Sequence, residues 1–189
     1  PSATKLLLHM NGDNDSTDIV DSSSSAHVMT ATGSAKLKTA QKKFGSASLN
    51  VLGPNTTGKV TTPKGSDFYF GTGDFTVEMF VNWTEFRTFD GSYNDPCLIS
   101  CGPSSSDITN AGWCIGIMYG ILTGIFINER YGEAKYVQAQ LNAPPRTIWT
   151  PTLGQWYHIA FLRNSGVLRL YIDGVQQGLN VTATGNQTT

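Results

Sequence analysis

Asp13, Asp15, Asp18 and Asp21 form the densest acidic group in the chain. They sit in a Gly-containing stretch that follows a Leu-rich run. Calcium takes about six to eight oxygen ligands, and short acidic loops with backbone carbonyls supply them well. The spacing departs from an EF-hand, because the sixth position of a loop starting at Asp13 is Asp18 and not Gly. The same residues also read as turn formers whose carboxylates cap nearby amides. These four aspartates are the candidate calcium ligands, and no other cofactor is required.

The other chemistry-bearing residues do not assemble into a reaction. Retaining glycoside hydrolysis needs two carboxylates about 5 Å apart. Glu78 is the only acid in its strand pattern, while Glu129 and Glu133 bracket Arg130-Tyr131-Gly132 without an intervening Asp. His9, His27 and His158 could each serve as a base, but no Gly-x-Ser-x-Gly nucleophile motif accompanies them. The expectation is a non-enzyme with no catalytic residue. Cys97, Cys101 and Cys114 are odd in number, which argues against a complete disulfide set. On one strand Cys97 and Cys101 would stand about 13 Å apart, whereas a turn at Gly102-Pro103 could bring Cys101 and Cys114 together. No His stands at zinc-ligand spacing, so the three read as reduced, partly buried thiols.

Glycan recognition uses exposed aromatic faces flanked by amide, carboxylate and guanidinium groups. Trp83, Trp113 and Trp156 fall in strand patterns and read as core or strand-end packing. Trp149, in the Arg146 to Pro151 loop, and Tyr93, Tyr131 and Arg146 are the loop candidates for a glycan or for a subunit interface, where Trp, Tyr and Arg dominate binding energy.

The elements that must position these residues are strands. Twenty Gly and 11% aromatic residues, together with many Ser and Thr, suit short strands joined by many turns. With 13 basic and 14 acidic residues and a net charge of −1, the chain carries no electrostatic footprint for nucleic acid. Its apolar runs are too short and too glycine-interrupted to span a bilayer, and Pro1 to His9 lacks the apolar stretch of a secretory signal. Alternation and turn residues predict strands over Leu6 to Met10, Lys43 to Val51, Phe75 to Trp83, Cys97 to Cys101, Trp113 to Met118, Leu122 to Ile127 and, weakly, Tyr136 to Leu141. Three hairpins are expected: His27 to Ala31 with Ala35 to Leu37, Trp113 to Met118 with Leu122 to Ile127 around Tyr119-Gly120, and Tyr157 to Arg163 with Leu168 to Ile172. Phe75, Val77, Met79 and Val81, and Phe161, Leu168, Leu170 and Ile172, supply apolar faces for packed sheets. No linker divides the chain, so residues 1–189 read as one domain.

Four segments, taken in order, resemble a known family. They are Leu6 to Gly12 with Asp21-Ser22-Ser23; Phe44 to Leu49; Phe70-Gly71-Thr72-Gly73-Asp74-Phe75-Thr76-Val77-Glu78; and Trp156 to Ala160 with Leu170-Tyr171-Ile172-Asp173-Gly174. The chain is similar to laminin-G-like domains of the concanavalin A-like superfamily, especially those of bacteriophage and marine viral structural proteins. The resemblance implies an all-β, two-sheet antiparallel jelly-roll sandwich. Relatives add two strands after the Tyr-Ile-Asp-Gly hairpin, and this chain is expected to lack them, leaving Leu6 to Met10 open on one side for another chain. The β-glucanases of the superfamily carry Glu-x-Asp-x-(x)-Glu on one strand, a pattern absent here. The resemblance therefore implies a binding or structural module of a virion, as capsid decoration or tail fibre. Its expected partners are copies of itself, other virion proteins or a surface glycan, with no nucleic acid and no membrane insertion. The competing expectation is an extracellular carbohydrate-binding module.

Overall fold

The computed structural model describes residues 3–53, 56–85, 97–102, 112–118, 121–127, 134–139 and 148–183. The chain forms two compact units, Pro1–Phe68 and Tyr69–Thr189. No α-helix occurs among the described residues, and none of their helical turns is long and apolar enough to cross a membrane.

The first unit is built from very short strands: β1 (Thr30–Thr32), β2 (Lys36–Lys38), β3 (Ser48–Asn50), β4 (Leu52–Gly53), β5 (Thr56–Thr57) and β6 (Lys59–Thr61), followed by a 3-10 turn at Ser66–Phe68. The expected hairpin between His27 to Ala31 and Ala35 to Leu37 does not form. Instead β1 pairs with β6 and β2 with β3, which sets Ala31 opposite Val60 and Leu37 opposite Leu49. Strands of three residues carry too little alternation to fix a partner, so apolar matching across the ladder decides it. Leu6 to Met10 is likewise not a strand; it makes a single bridge, Leu8 to Asp21. Its backbone is occupied locally, with Leu7 N donating to Asp21 Oδ1 at 2.9 Å and Ser22 N donating to Leu7 O at 2.8 Å. Ile19, Leu37 and Ala47 are buried at the centre, with Leu8, Met10, Met29, Ala31, Leu49 and Val60 packed around them.

The second unit holds the long strands. These are β7 (Phe75–Asn82), β8 (Cys97–Cys101), β9 (Gly112–Met118), β10 (Ile121–Ile127), β11 (Ala134–Gln138), β12 (Trp156–Asn164), β13 (Val167–Ile172) and β14 (Val175–Thr182). They form two four-stranded antiparallel sheets, ordered β11-β10-β9-β8 and β14-β13-β12-β7. The expected strands are present, the one expected over Tyr136 to Leu141 running over Ala134–Gln138, and the expected β9–β10 and β12–β13 pairings form. One more follows: β14 pairs with β13 beyond the point where the sheet was expected to end. Side chains alternate along each strand, so the inward set of β12 and β13 is Tyr157, Ile159, Phe161, Leu168, Leu170 and Ile172, all buried. The sheets meet closely at Gly124 of β10, where any Cβ would strike the Phe161 ring of β12. Phe75 stacks on Phe126 at 5.6 Å across the same interior.

Candidate functional site

The four aspartates of the first unit do not converge. Among the described residues no three His, Cys, Asp or Glu side chains gather where they could hold a metal ion. Asp21 is buried, and its carboxylate is taken up by protein donors: Oδ1 accepts from Leu7 N and Ser23 N, and Oδ2 accepts from His27 N and Ser23 Oγ, each at 2.9 Å. Burial alone would push this carboxyl up, but the amides of Leu7, Ser23 and His27 and the Ser23 hydroxyl outweigh it and hold the group at about 2. Asp15 Oδ1 meets Lys38 Nζ at 2.6 Å and Lys36 Nζ at 3.3 Å, which together hold its carboxyl below the usual range. Asp13 gives its backbone carbonyl to Ser16 N, and the Asp18 N–H donates to Ser16 Oγ. Two of the four carboxylates, those of Asp21 and Asp15, are thus taken up by amides, a hydroxyl and lysines from flanking segments.

The same unit explains part of the sequence signature. Asn11 Oδ1 accepts from Ser46 N at 2.9 Å, and Gly12 N donates to Ser46 Oγ at 3.0 Å. Gly45 sits at φ 62°, and a Cβ there would land on Asn11 Oδ1. Asn11-Gly12 and Gly45-Ser46 thus form one interlock.

Sequence reasoning missed the most deeply placed charge among the described residues. Arg163 of β12 is 1% exposed, and its guanidinium lies 4.6 Å from the Phe126 ring centroid and 5.5 Å from that of Phe75. Nε donates to Gly73 O at 2.9 Å, Nη2 donates to Gly71 O at 2.7 Å and also to Gly73 O, and Nη1 reaches Ala183 O at 3.5 Å. Desolvation lowers its pKa while the nearby Asp74 carboxylate raises it. The Phe70 to Asp74 segment of the signature is therefore the run of carbonyls that this cation gathers. The missed signal was parity, since position 163 shares a face with 157, 159 and 161.

On the outward face of the sheet β14-β13-β12-β7, the register aligns a row of different character. Glu78 stands opposite Ala160, Ala160 opposite Tyr171, and Tyr171 opposite Gln176; beside this row Phe80 stands opposite His158. Directly opposed residues share a face. The His158 ring lies 4.9 Å from that of Phe80, and its Nε2 is 3.1 Å from Glu78 Oε2. Tyr171 Oη donates to Gln176 Oε1 at 3.4 Å, and Gln176 Nε2 donates to Asn180 Oδ1 at 2.9 Å. Thr76, Leu162 and Arg169 form the next row. Ala160, small and central, leaves Phe80 and Tyr171 standing on either side. Sequence reasoning weighs Glu78 and His158 only as a catalytic acid and base, and reads the strands that carry Phe80 and Tyr171 for their core faces.

Trp149 is half-buried and belongs to an aromatic corner: its ring meets Tyr157 edge-on at 5.0 Å and Trp83 at 6.0 Å, while its backbone N–H donates to Ala139 O at 2.9 Å. Tyr93, Tyr131 and Arg146 lie outside the described residues, as do Glu129 and Glu133. Trp113 is buried against Phe70, as expected of a core residue.

A family model described as the concanavalin A-like lectin/glucanases superfamily matches residues 54–189. Among solved structures, the binding domain of Paraclostridial Mosquitocidal Protein 1 superposes with a TM-score of 0.64 at 14% identity, over 97% of this chain and 44% of that one. Domain 4 of AbnA, a GH43 extracellular arabinanase from Geobacillus stearothermophilus, in complex with arabinotriose, superposes with a TM-score of 0.54 at 21% identity, over 89% of this chain and 72% of that one. At these identities the likeness is one of fold, and this chain spans less than half the length of the first structure. No curated protein sequence matches the chain.

Proposed function

We propose that this chain, which belongs to the concanavalin A-like lectin/glucanase superfamily, is a non-catalytic binding module that engages an oligosaccharide on the outward face of β7, β12, β13 and β14. The observation that carries the reading is the row Glu78, Ala160, Tyr171 and Gln176 with Phe80 and His158 beside it. Sugar rings present apolar CH faces, which suit Phe80 and Tyr171, and equatorial hydroxyls, which suit the carboxylate, amide and imidazole groups. Four strands place Glu78 and Gln176 about 14 Å apart, the span of an oligosaccharide and not of one sugar. Support also comes from the structural neighbours, one a binding domain and the other solved with arabinotriose. Glu78 meets His158 in this row, which is not the carboxylate pair that glycoside hydrolysis requires.

The natural setting of such a module, on the sequence resemblance to phage and marine viral structural proteins, is a virion surface, where a capsid-decoration or tail-fibre protein attaches the particle to a host glycan. A second reading, assembly with copies of itself or other virion proteins, is favoured by Val20 and Val28. These stand opposite each other in an isolated bridge and are 61% and 75% exposed.

Glycan-array binding with light scattering tests both. The expected result is binding to one glycan class, lost at least tenfold in the Phe80→Ala/Tyr171→Ala double variant and kept within about twofold in Trp149→Ala. Wild-type protein that binds no glycan, or loss in Trp149→Ala with the double variant unaffected, overturns the outward-face site. Stable oligomers that dissociate in Val20→Lys/Val28→Lys support assembly, whereas a monomer at all concentrations sinks it.

A further inference from the structure

We infer that Cys97 and Cys114 are an oxidisable pair that closes to an intramolecular disulfide across β8 and β9, leaving Cys101 as a thiol. The two strands are antiparallel neighbours, with Ser100 opposite Cys114 and Cys101 opposite Trp113. Regular pairing would keep Cys97 away from Cys114, but the ladder is irregular between Cys97 and Ile99. That irregularity re-aims the Cys97 side chain, and its Sγ lies 2.9 Å from Cys114 Sγ, with both residues as free thiols. The bond length of a disulfide is about 2.05 Å, so closure needs a movement of about 1 Å. The Cys101–Cys114 pairing that a simple hairpin turn would suggest is replaced by this one, because Cys101 faces Trp113 in the register.

Exposure orders the chemistry. Cys97 is exposed and Cys114 is fully buried, so a small disulfide oxidant such as oxidised glutathione reaches Cys97 first. The hydrogen bond between the two thiols draws the pKa of Cys97 down and raises that of Cys114. The Cys97 thiolate attacks one sulfur of the oxidant, breaking its S–S bond and releasing one glutathione thiolate. The Cys114 sulfur then attacks Cys97 Sγ, displacing the second glutathione thiolate. Two protein thiols lose two electrons and two protons; the oxidant gains both as two free thiols. The bond would staple β8 to β9 and constrain the unfolded chain.

The test uses the full chain, reduced and then equilibrated with oxidised glutathione. Free thiols are expected to fall from three to one, with a Cys97–Cys114 peptide in the mass map and a rise in Tm of about 5 °C or more. Cys101→Ser should behave identically, falling to no free thiol. Cys114→Ser should stop at a glutathione adduct on Cys97. Three persisting thiols, a stable adduct in the wild type, or any linkage through Cys101 overturns the pairing.

Discussion

Among the described residues each unit holds one buried charge, and the two are chemical opposites. In the first, Asp21 is 6% exposed and collects amide N–H groups from Leu7, Ser23 and His27. In the second, Arg163 is 1% exposed and collects carbonyl oxygens from Gly71, Gly73 and Ala183. Both serve backbone that no ladder satisfies, since a buried N–H or C=O without a partner costs about as much as a lost hydrogen bond. The local geometry chooses the sign. Around Asp21 a turn points its amides inward, and at the end of β12 the incoming loop points its carbonyls inward. The difference has a consequence for pH, because a carboxylate titrates within reach of acid and a guanidinium does not.

The largest expected effect comes from Arg163→Met, which fills the same volume and strands the carbonyls of Gly71 and Gly73. We expect a loss of about 3–5 kcal/mol in urea unfolding. Arg163→Lys should recover only part of it, since an ammonium cannot fork to several carbonyls as a guanidinium does. If Arg163→Met is neutral, the cation is not an anchor and the comparison fails on its second side.

Asp21→Asn comes next, at about 2 kcal/mol near neutral pH. The sign follows from the folded carboxyl sitting at about 2 against an ordinary value of 3.8. Its contribution is complete above roughly pH 5 and is lost as pH falls toward 2. Asp21→Asn should therefore flatten part of the acid limb of stability. The remainder belongs to Asp67, held low by the Ser25 hydroxyl and Lys5, and to Asp15, held low by Lys38 and Lys36. Arg163→Met should shift the whole curve and leave the acid limb intact. An unchanged acid limb in Asp21→Asn would remove the asymmetry between the two charges.

The sequence made the second unit far more legible than the first. Eight-residue alternation in Phe75 to Asn82 and the β12–β13 hairpin announce their faces, because six or more alternating positions fix a register. Three-residue strands such as Thr30–Thr32 do not, and there the partner is set by contacts distant in sequence. β14 was hidden for another reason: Val175 and Leu179 are exposed, and Gly178 interrupts the run where its backbone passes the Gln138 carbonyl. Arg163 was readable by parity yet was passed over, since a charged residue at an inward position contradicts the apolar pattern that identifies a core. The proposed outward-face residues were hidden differently: Phe80 and Tyr171 lie inside strand signatures and His158 reads there only as a base, whereas the loop aromatics stand out, of which Tyr93 and Tyr131 lie outside the described residues.

The smallest expected effect lies on that outward face, and it bounds the comparison. Glu78 and His158 form a charge-bearing contact at 3.1 Å, but their side chains are 62% and 29% exposed. Solvent screens such a pair, and exposed ion pairs contribute about 0–1 kcal/mol. Glu78→Gln keeps the shape and a hydrogen-bonding oxygen, so urea unfolding should move by less than about 0.5 kcal/mol. Glycan affinity should nonetheless fall several-fold, because a carboxylate accepts from sugar hydroxyls more strongly than an amide does. If Glu78→Gln instead lowers stability as much as Asp21→Asn, the outward contact is a third structural anchor, and the separation of buried charges that hold loops from exposed charges that meet a ligand collapses.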